Sequence, residues 1–164
     1  KDAVAKMKNL EAAVTIQPGF SYIDKRYLNS YKTYLTEKQL SCLMPLKELS
    51  DSGVCLLGSS DSPVQEIDPY LQMKGMIHYY DEENSISPRK AYETYSINAG
   101  KAQERDFSLS IGNEATFNVY RKSPDEELSK DDLIFVYVKG KKVKRIKHPV
   151  WNLLALLFRK SQLI

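Results

Sequence analysis

The chain has 164 residues, of which 42% are hydrophobic and 27% are charged, and its net charge is +3 at pH 7. This composition is typical of a globular protein with one core, and it excludes a disordered or collagen-like chain. Basic and acidic residues are mixed over most of the sequence, so no nucleic-acid partner is predicted. Cys42 and Cys55 lie in apolar stretches, and no signal peptide is recognised. Reduced, buried thiols in a cytoplasmic protein are therefore expected.

Helix and strand patterns alternate over the first half of the chain. A helical period over residues 2–10 precedes a short strand pattern over 12–17, which Pro18 ends. Thr36 has the capping-box spacing to Gln39 and predicts a helix toward residue 49, divided in two by a proline at position 45. Such alternation favours a parallel sheet with helices outside it.

The most informative stretch is residues 53–64, an apolar run that stops at small polar residues and a proline. Val54 to Gly58 carry no charge, which is typical of a strand covered on both faces, although a short apolar run also fits a helix. Because Pro63 cannot continue a strand ladder, Asp61 is predicted to lie at the strand's exit. Gln17 takes the same position after the preceding strand.

Two further helices and a set of strands follow. Asp68-Pro69 and Ser87-Pro88 each combine a helix cap with a proline suited to the first turn, and they predict helices toward residues 80 and 99. Polar and apolar residues then alternate, which predicts antiparallel strands over three segments, namely 107–112, 115–120 and 133–138.

The C-terminal segment is different again. Residues 150–158 are almost wholly apolar and follow a basic block at 141–147. This segment is too short to cross a bilayer, which needs about 20 apolar residues. A helix packed on the body or on a partner chain is favoured over an interfacial membrane helix.

The order of these motifs resembles the C-terminal part of metal-dependent amidohydrolases, in the branch that includes N-substituted formamide deformylase. The resemblance covers residues 4–143 and is carried by five segments: 14–18, 46–64, 87–99, 108–117 and 137–143. It implies an α/β fold in which residues 1–103 form the last two βα units of a (β/α)8 barrel. Residues 104–145 would be part of a small β-sandwich, and 146–164 a C-terminal helical tail.

The resemblance also implies a site and a function. Asp61 would end the eighth strand, bind a divalent metal, with zinc expected, and take the proton of the attacking water. Gln17 and Ser62 are candidate substrate contacts, with turn formation as the alternative for both. The remaining metal ligands, including a His-x-His pair, would lie outside this chain.

The expected function is hydrolysis of a carbon-nitrogen bond in a small amide-type substrate, by a longer chain of which this is an inactive piece. The expected partners are the N-terminal remainder of the enzyme and further copies in a homo-oligomer. Two alternatives stay open. Asp61 can be a simple turn former, as Asp before Ser-Pro commonly is, and the chain can be a non-catalytic module that binds a partner or an anionic membrane through its tail.

Overall fold

A computed structural model describes residues 2–23, 25–106 and 108–143, and it shows an α/β chain with two sheets. The helices and strands are, in order, α1 (Asp2–Asn9), β1 (Ala13–Ile16), α2 (Gly19–Ile23), α3 (Lys25–Tyr34), α4 (Glu37–Leu40), α5 (Leu46–Ser52), β2 (Cys55–Gly58), α6 (Pro69–Ile77), α7 (Pro88–Glu93), α8 (Ile97–Ala102), β3 (Phe117–Tyr120), β4 (Leu133–Val138) and β5 (Lys141–Val143). Short 3-10 turns span Glu82–Asn84 and Lys130–Asp132.

The first sheet joins β1 and β2 in parallel, as the alternating pattern predicts, with Ala13 opposite Cys55 and Ile16 opposite Gly58. Side chains alternate between its faces. Ile16 and Leu56 are buried on the face that the helices cover, whereas Ala13 and Thr15 are exposed. The expectation that β2 is covered on both faces is confirmed only in part. Leu56 is buried, whereas Cys55 and Leu57 on the other face are half-buried, with Cys55 Sγ 3.7 Å from the Asn98 carbonyl of α8.

The core lies between this sheet and the helices. Leu46 of α5 and Met76 of α6 are fully buried beside Ile16, and Ala91 of α7 closes the same cluster. A second cluster joins Leu49, Val54 and Leu56, with α1 packed against it. These two clusters fix the sheet against α1, α5, α6 and α7.

Helix boundaries follow the predicted caps. Thr36 and Gln39 form the capping box of α4, and the side chains of Asp68 and Ser87 cap α6 and α7. The break at Pro45 separates α4 from α5 as expected. The single helix predicted after Ser87 is in fact two, α7 and α8.

Both cysteines are free, as expected, but their burial differs from the prediction. Cys55 is half-buried on β2, whereas Cys42 is exposed. The prediction of a buried thiol is therefore wrong for Cys42, which lies in the turn after α4.

The second sheet is antiparallel, in the order β3-β4-β5. The strand predicted over residues 107–112 is wrong for 108–112, which form an exposed loop that ends in a turn. There Asn113 donates hydrogen bonds to Asp106 and Ser108, and such local bonds compete with a strand ladder. The apolar residues that share one face of this sheet are Ile134, Val136, Val138 and Val143, of which all but Val136 are exposed. The predicted tail, 146–164, lies outside the described residues.

Candidate functional site

The carboxyl ends of β1 and β2 meet at one edge of the parallel sheet, and the predicted site residues follow them there. The backbone amide of Ser59 donates to the Ile16 carbonyl at 2.9 Å, so the two strands stay paired as far as this edge. Gln17 comes next after β1 and is half-buried. Asp61 and Ser62 lie three and four residues beyond β2, and both are exposed.

Asp61 holds a distinctive backbone position in the turn after β2. Its φ is +54°, in the left-handed region that aspartate tolerates better than most residues. Its amide donates to Ser59 Oγ at 3.3 Å and its carbonyl accepts from the Val64 amide at 2.8 Å. In the part of the chain that is described, no group hydrogen-bonds or pairs with its carboxylate. The turn thus leaves this carboxylate exposed to solvent beyond the carboxyl edge of the sheet.

A metal ion does not fit the described residues by themselves. Over 2–23, 25–106 and 108–143 no group of three or more His, Cys, Asp or Glu side chains could hold one. Asp61 supplies a single carboxylate, whereas zinc sites use three or four protein ligands. His78, which directly follows α6, is exposed and lies 2.6 Å from Glu127, as a surface side chain rather than a ligand.

One polar residue at this edge escaped the sequence analysis. Gln72 of α6 is only 1% exposed, and its side chain contacts both loops that follow the strands. Its Oε1 accepts a hydrogen bond from the Gly19 amide at 2.8 Å, and its Nε2 donates to Gln65 Oε1 at 2.6 Å. In the sequence, Gln72 is marked only as a single glutamine that interrupts the apolar stripe of this helix. That pattern does not show that the side chain is buried or that it binds two other segments.

Tyr95 closes the end of β2 from the helix side. Its ring lies where a Cβ at Gly58 would be, so a larger residue there would collide with it. Its phenol oxygen is buried and has no hydrogen-bond partner among the described residues. Burial first, and then the nearby Asp68 carboxylate, raise the pKa of Tyr95 above its ordinary value. The phenol therefore stays protonated and remains a donor.

Asp68 links this edge to the second sheet. Its carboxylate caps α6 by accepting from the Tyr70 and Leu71 amides, and it pairs with Lys130 Nζ at 2.7 Å. Asp68 is the last residue of the loop that follows β2 and carries Asp61. The ion pair with Lys130 therefore connects this loop to the segment before β4.

A separate open cleft of about 600 Å³ lies at the opposite edge of the first sheet. It is lined by Ala13 and Cys55, which begin the two strands, and by the exposed side chains of Lys8, Lys90 and Lys101. It is therefore distinct from the edge where Gln17 and Asp61 lie.

The fold and the edge together define an α/β chain with a carboxylate beyond the carboxyl end of a parallel strand, the edge at which ligands bind in α/β sheets. The model of the amidohydrolase family matches residues 1–143. The chain therefore belongs to the amidohydrolase family, and this membership supports a hydrolase-type function. No curated protein and no solved structure matches the chain. Among the described residues, no helix is long and apolar enough to cross a membrane.

Proposed function

We propose that the chain is the C-terminal part of a cytoplasmic metal-dependent hydrolase that cleaves carbon-nitrogen bonds in small amide-type substrates. The deformylase-like branch is the proposed place within the family. The observation that carries the proposal is the exposed Asp61 carboxylate at the carboxyl edge of a parallel sheet, without a partner in the described part of the chain. Family membership over residues 1–143 supports the reaction class.

The proposed role of Asp61 follows from its chemistry. An ionised carboxylate can accept a proton from the water that attacks the substrate carbonyl. It can also be one ligand of a divalent metal, zinc in the first instance, whose other ligands would come from outside this chain. Gln17, which follows β1, and Ser62, the next residue after Asp61, would contact the substrate.

The proposed organisation divides the chain into two βα units of a (β/α)8 barrel over residues 1–103, a β-sandwich portion over 104–145 and a tail over 146–164. The parallel pairing of β1 and β2 and the antiparallel second sheet support it. Ile134, Val138 and Val143 are exposed on one face of that sheet, which favours contact with the N-terminal remainder of the enzyme or with another copy. Without those partners the chain would be inactive.

The test is hydrolysis of formamide and amide substrates by the full-length protein supplied with Zn²⁺, compared with its Asp61→Asn variant. Loss of a proton acceptor should lower kcat by about 100-fold or more. Asp51→Asn is the matched control, because Asp51 is an exposed carboxylate on α5 whose recorded partner is Lys47. An Asp61→Asn enzyme as active as the control would refute the assignment, and bound zinc measured in both variants would test the ligand role.

A further inference from the structure

Gln72 is the most deeply buried polar side chain near the candidate site. It lies on α6 at 1% exposure, and a buried carboxamide is costly unless its donor and acceptor are satisfied. Here its oxygen accepts from the Gly19 amide and its nitrogen donates to Gln65. Gly19 is the first residue of α2 and directly follows the turn after β1, and Gln65 lies in the loop after β2. One side chain thus spans both loops.

The packing around Gln72 leaves little freedom. A Cβ on Gly19 would collide with the carboxamides of both Gln65 and Gln72. A Cβ on Gly75, one turn further along α6, would collide with the backbone of Pro18, which is itself fully buried. The turn after β1 therefore lies directly against α6 at the height of Gln72.

We infer that Gln72 is a positioning residue that joins two segments into one unit: residues 17–19, which follow β1 and end at the first residue of α2, and the loop after β2 (residues 59–68). Gln17 is two residues from the Gly19 contact, and Asp61 is four residues from Gln65. The bridge thus fixes the separation between the two predicted site residues. An effect of this bridge on kcat rests on the proposed function. The coupling of the two segments rests only on the two hydrogen bonds of Gln72.

The coupling can be tested by changing one loop and measuring the other. Gln65→Met removes the acceptor for Gln72 Nε2, and Gln65→Glu keeps an acceptor at the same place. Because the freed carboxamide no longer holds its orientation, hydrogen exchange of the Gly19 amide should become about tenfold faster in Gln65→Met. It should stay at the wild-type rate in Gln65→Glu.

Two further variants complete the experiment. Gln72→Met removes both bonds with little change in length, so exchange should accelerate at Gly19 and also at Val64, whose amide closes the Asp61 turn. Gln103→Met is the matched control, since Gln103 directly follows α8 and its carboxamide donates to the Ala99 carbonyl of that helix. If Gln72→Met does not fold, the two Gln65 variants still test the coupling, because residue 65 is only half-buried and its substitution should be tolerated. An unchanged Gly19 rate in Gln65→Met would overturn the inference.

Activity gives the second measurement, made on the full-length enzyme with a formamide substrate and Zn²⁺. Gln65→Met should lower kcat about tenfold, the effect of losing one net hydrogen bond in the reacting geometry, and Gln65→Glu should restore it. Equal kcat in both variants would contradict the positioning role. A wild-type enzyme that hydrolyses no amide would instead refute the proposed function, and the exchange data would still decide the coupling.

Discussion

The two sheets are held to the helices by different kinds of contact. Side chains of the parallel sheet, such as Ile16 and Leu56, enter apolar clusters with α1, α5, α6 and α7. The antiparallel sheet and its flanking segments contact α6 and α7 largely through charged pairs, which are Lys130 with Asp68, Arg89 with Asp125, and Glu127 with Lys74 and His78. We call the contacts of the parallel sheet with the helices the first attachment, and those of the antiparallel sheet the second attachment. The first depends on buried apolar area and the second on ionised side chains, so core substitutions should weaken the first, and changes of pH or salt the second.

Apolar and aromatic groups also lie at the second attachment. Leu128 is 2% exposed, and the ring of Tyr120 packs edge-on against Tyr70 and Tyr92. The aromatic contacts of Tyr120 thus accompany the charged pairs. The comparison therefore predicts that core substitutions disturb the first sheet most, and that pH and salt act on the second.

The largest effect is expected from Leu46→Ala. Leu46 is fully buried between α5 and the helices that cover the first sheet, so the change removes apolar contacts and leaves a cavity. Its free energy of unfolding, measured in urea, should fall by about 2–5 kcal/mol. Leu43→Ala is the control, because Leu43 is 42% exposed and its loss should cost less than about 0.5 kcal/mol. Equal effects would show that the core does not hold the first sheet.

A smaller change in the free energy of unfolding, of opposite sign, is expected for a substitution of Tyr95 at the end of β2. Tyr95→Phe removes a buried hydroxyl that has no partner among the described residues, so the free energy of unfolding should rise by about 1 kcal/mol. Tyr80→Phe should lower it by about the same amount, because the Tyr80 hydroxyl donates to the Leu40 carbonyl. Denaturant unfolding of the two variants checks the signs, and destabilisation by both would mean that the Tyr95 hydroxyl has a partner.

Local rules predicted much of the first sheet and its helices. The caps at Thr36, Asp68 and Ser87 are fixed by side chains within three residues of the amides they bind, so sequence spacing is sufficient to find them. The parallel pairing of β1 and β2 followed from the alternation of helix and strand. Asp61 was placed beyond β2 because Pro63 ends the ladder.

The rest depends on contacts between distant residues. Gln72 contacts Gly19 across 53 positions, and nothing in the local pattern distinguishes it from a solvent-facing glutamine. The contact between Gly58 and the ring of Tyr95 could not be predicted from the sequence either, because it depends on where α7 ends relative to β2. The segment at 108–112 was misread because its alternation is real, but side-chain hydrogen bonds from Asn113 hold a turn instead. The roles of Asp61, Gln17 and Ser62 stay predictions.

The smallest effect concerns the pair that joins α7 to the segment before β4. Arg89 Nε and Nη2 donate to the two oxygens of Asp125 at 2.8 and 2.7 Å, and this lowers the pKa of Asp125 to about 2. A carboxylate with a lowered folded-state pKa stabilises the fold above its unfolded pKa, near 3.8, and that contribution is lost as the pH falls toward 2. The second attachment should therefore loosen between about pH 4 and pH 2, and the first should not.

The methyl resonances of Leu128 and Leu56 report on the two attachments. In the wild type, the Leu128 shifts should move over that pH interval while those of Leu56 stay constant. Salt should diminish the change at Leu128, because it screens the exposed pair and leaves less interaction to lose on protonation. In Asp125→Asn the movement over this interval should be smaller. Glu127, whose pKa is also lowered, by its hydrogen bond with His78, titrates in both proteins, so the difference between them isolates Asp125. Identical titrations of Leu128 in the two proteins would show that the apolar contacts of Leu128 and Tyr120 hold the sheet without help from the charged pair.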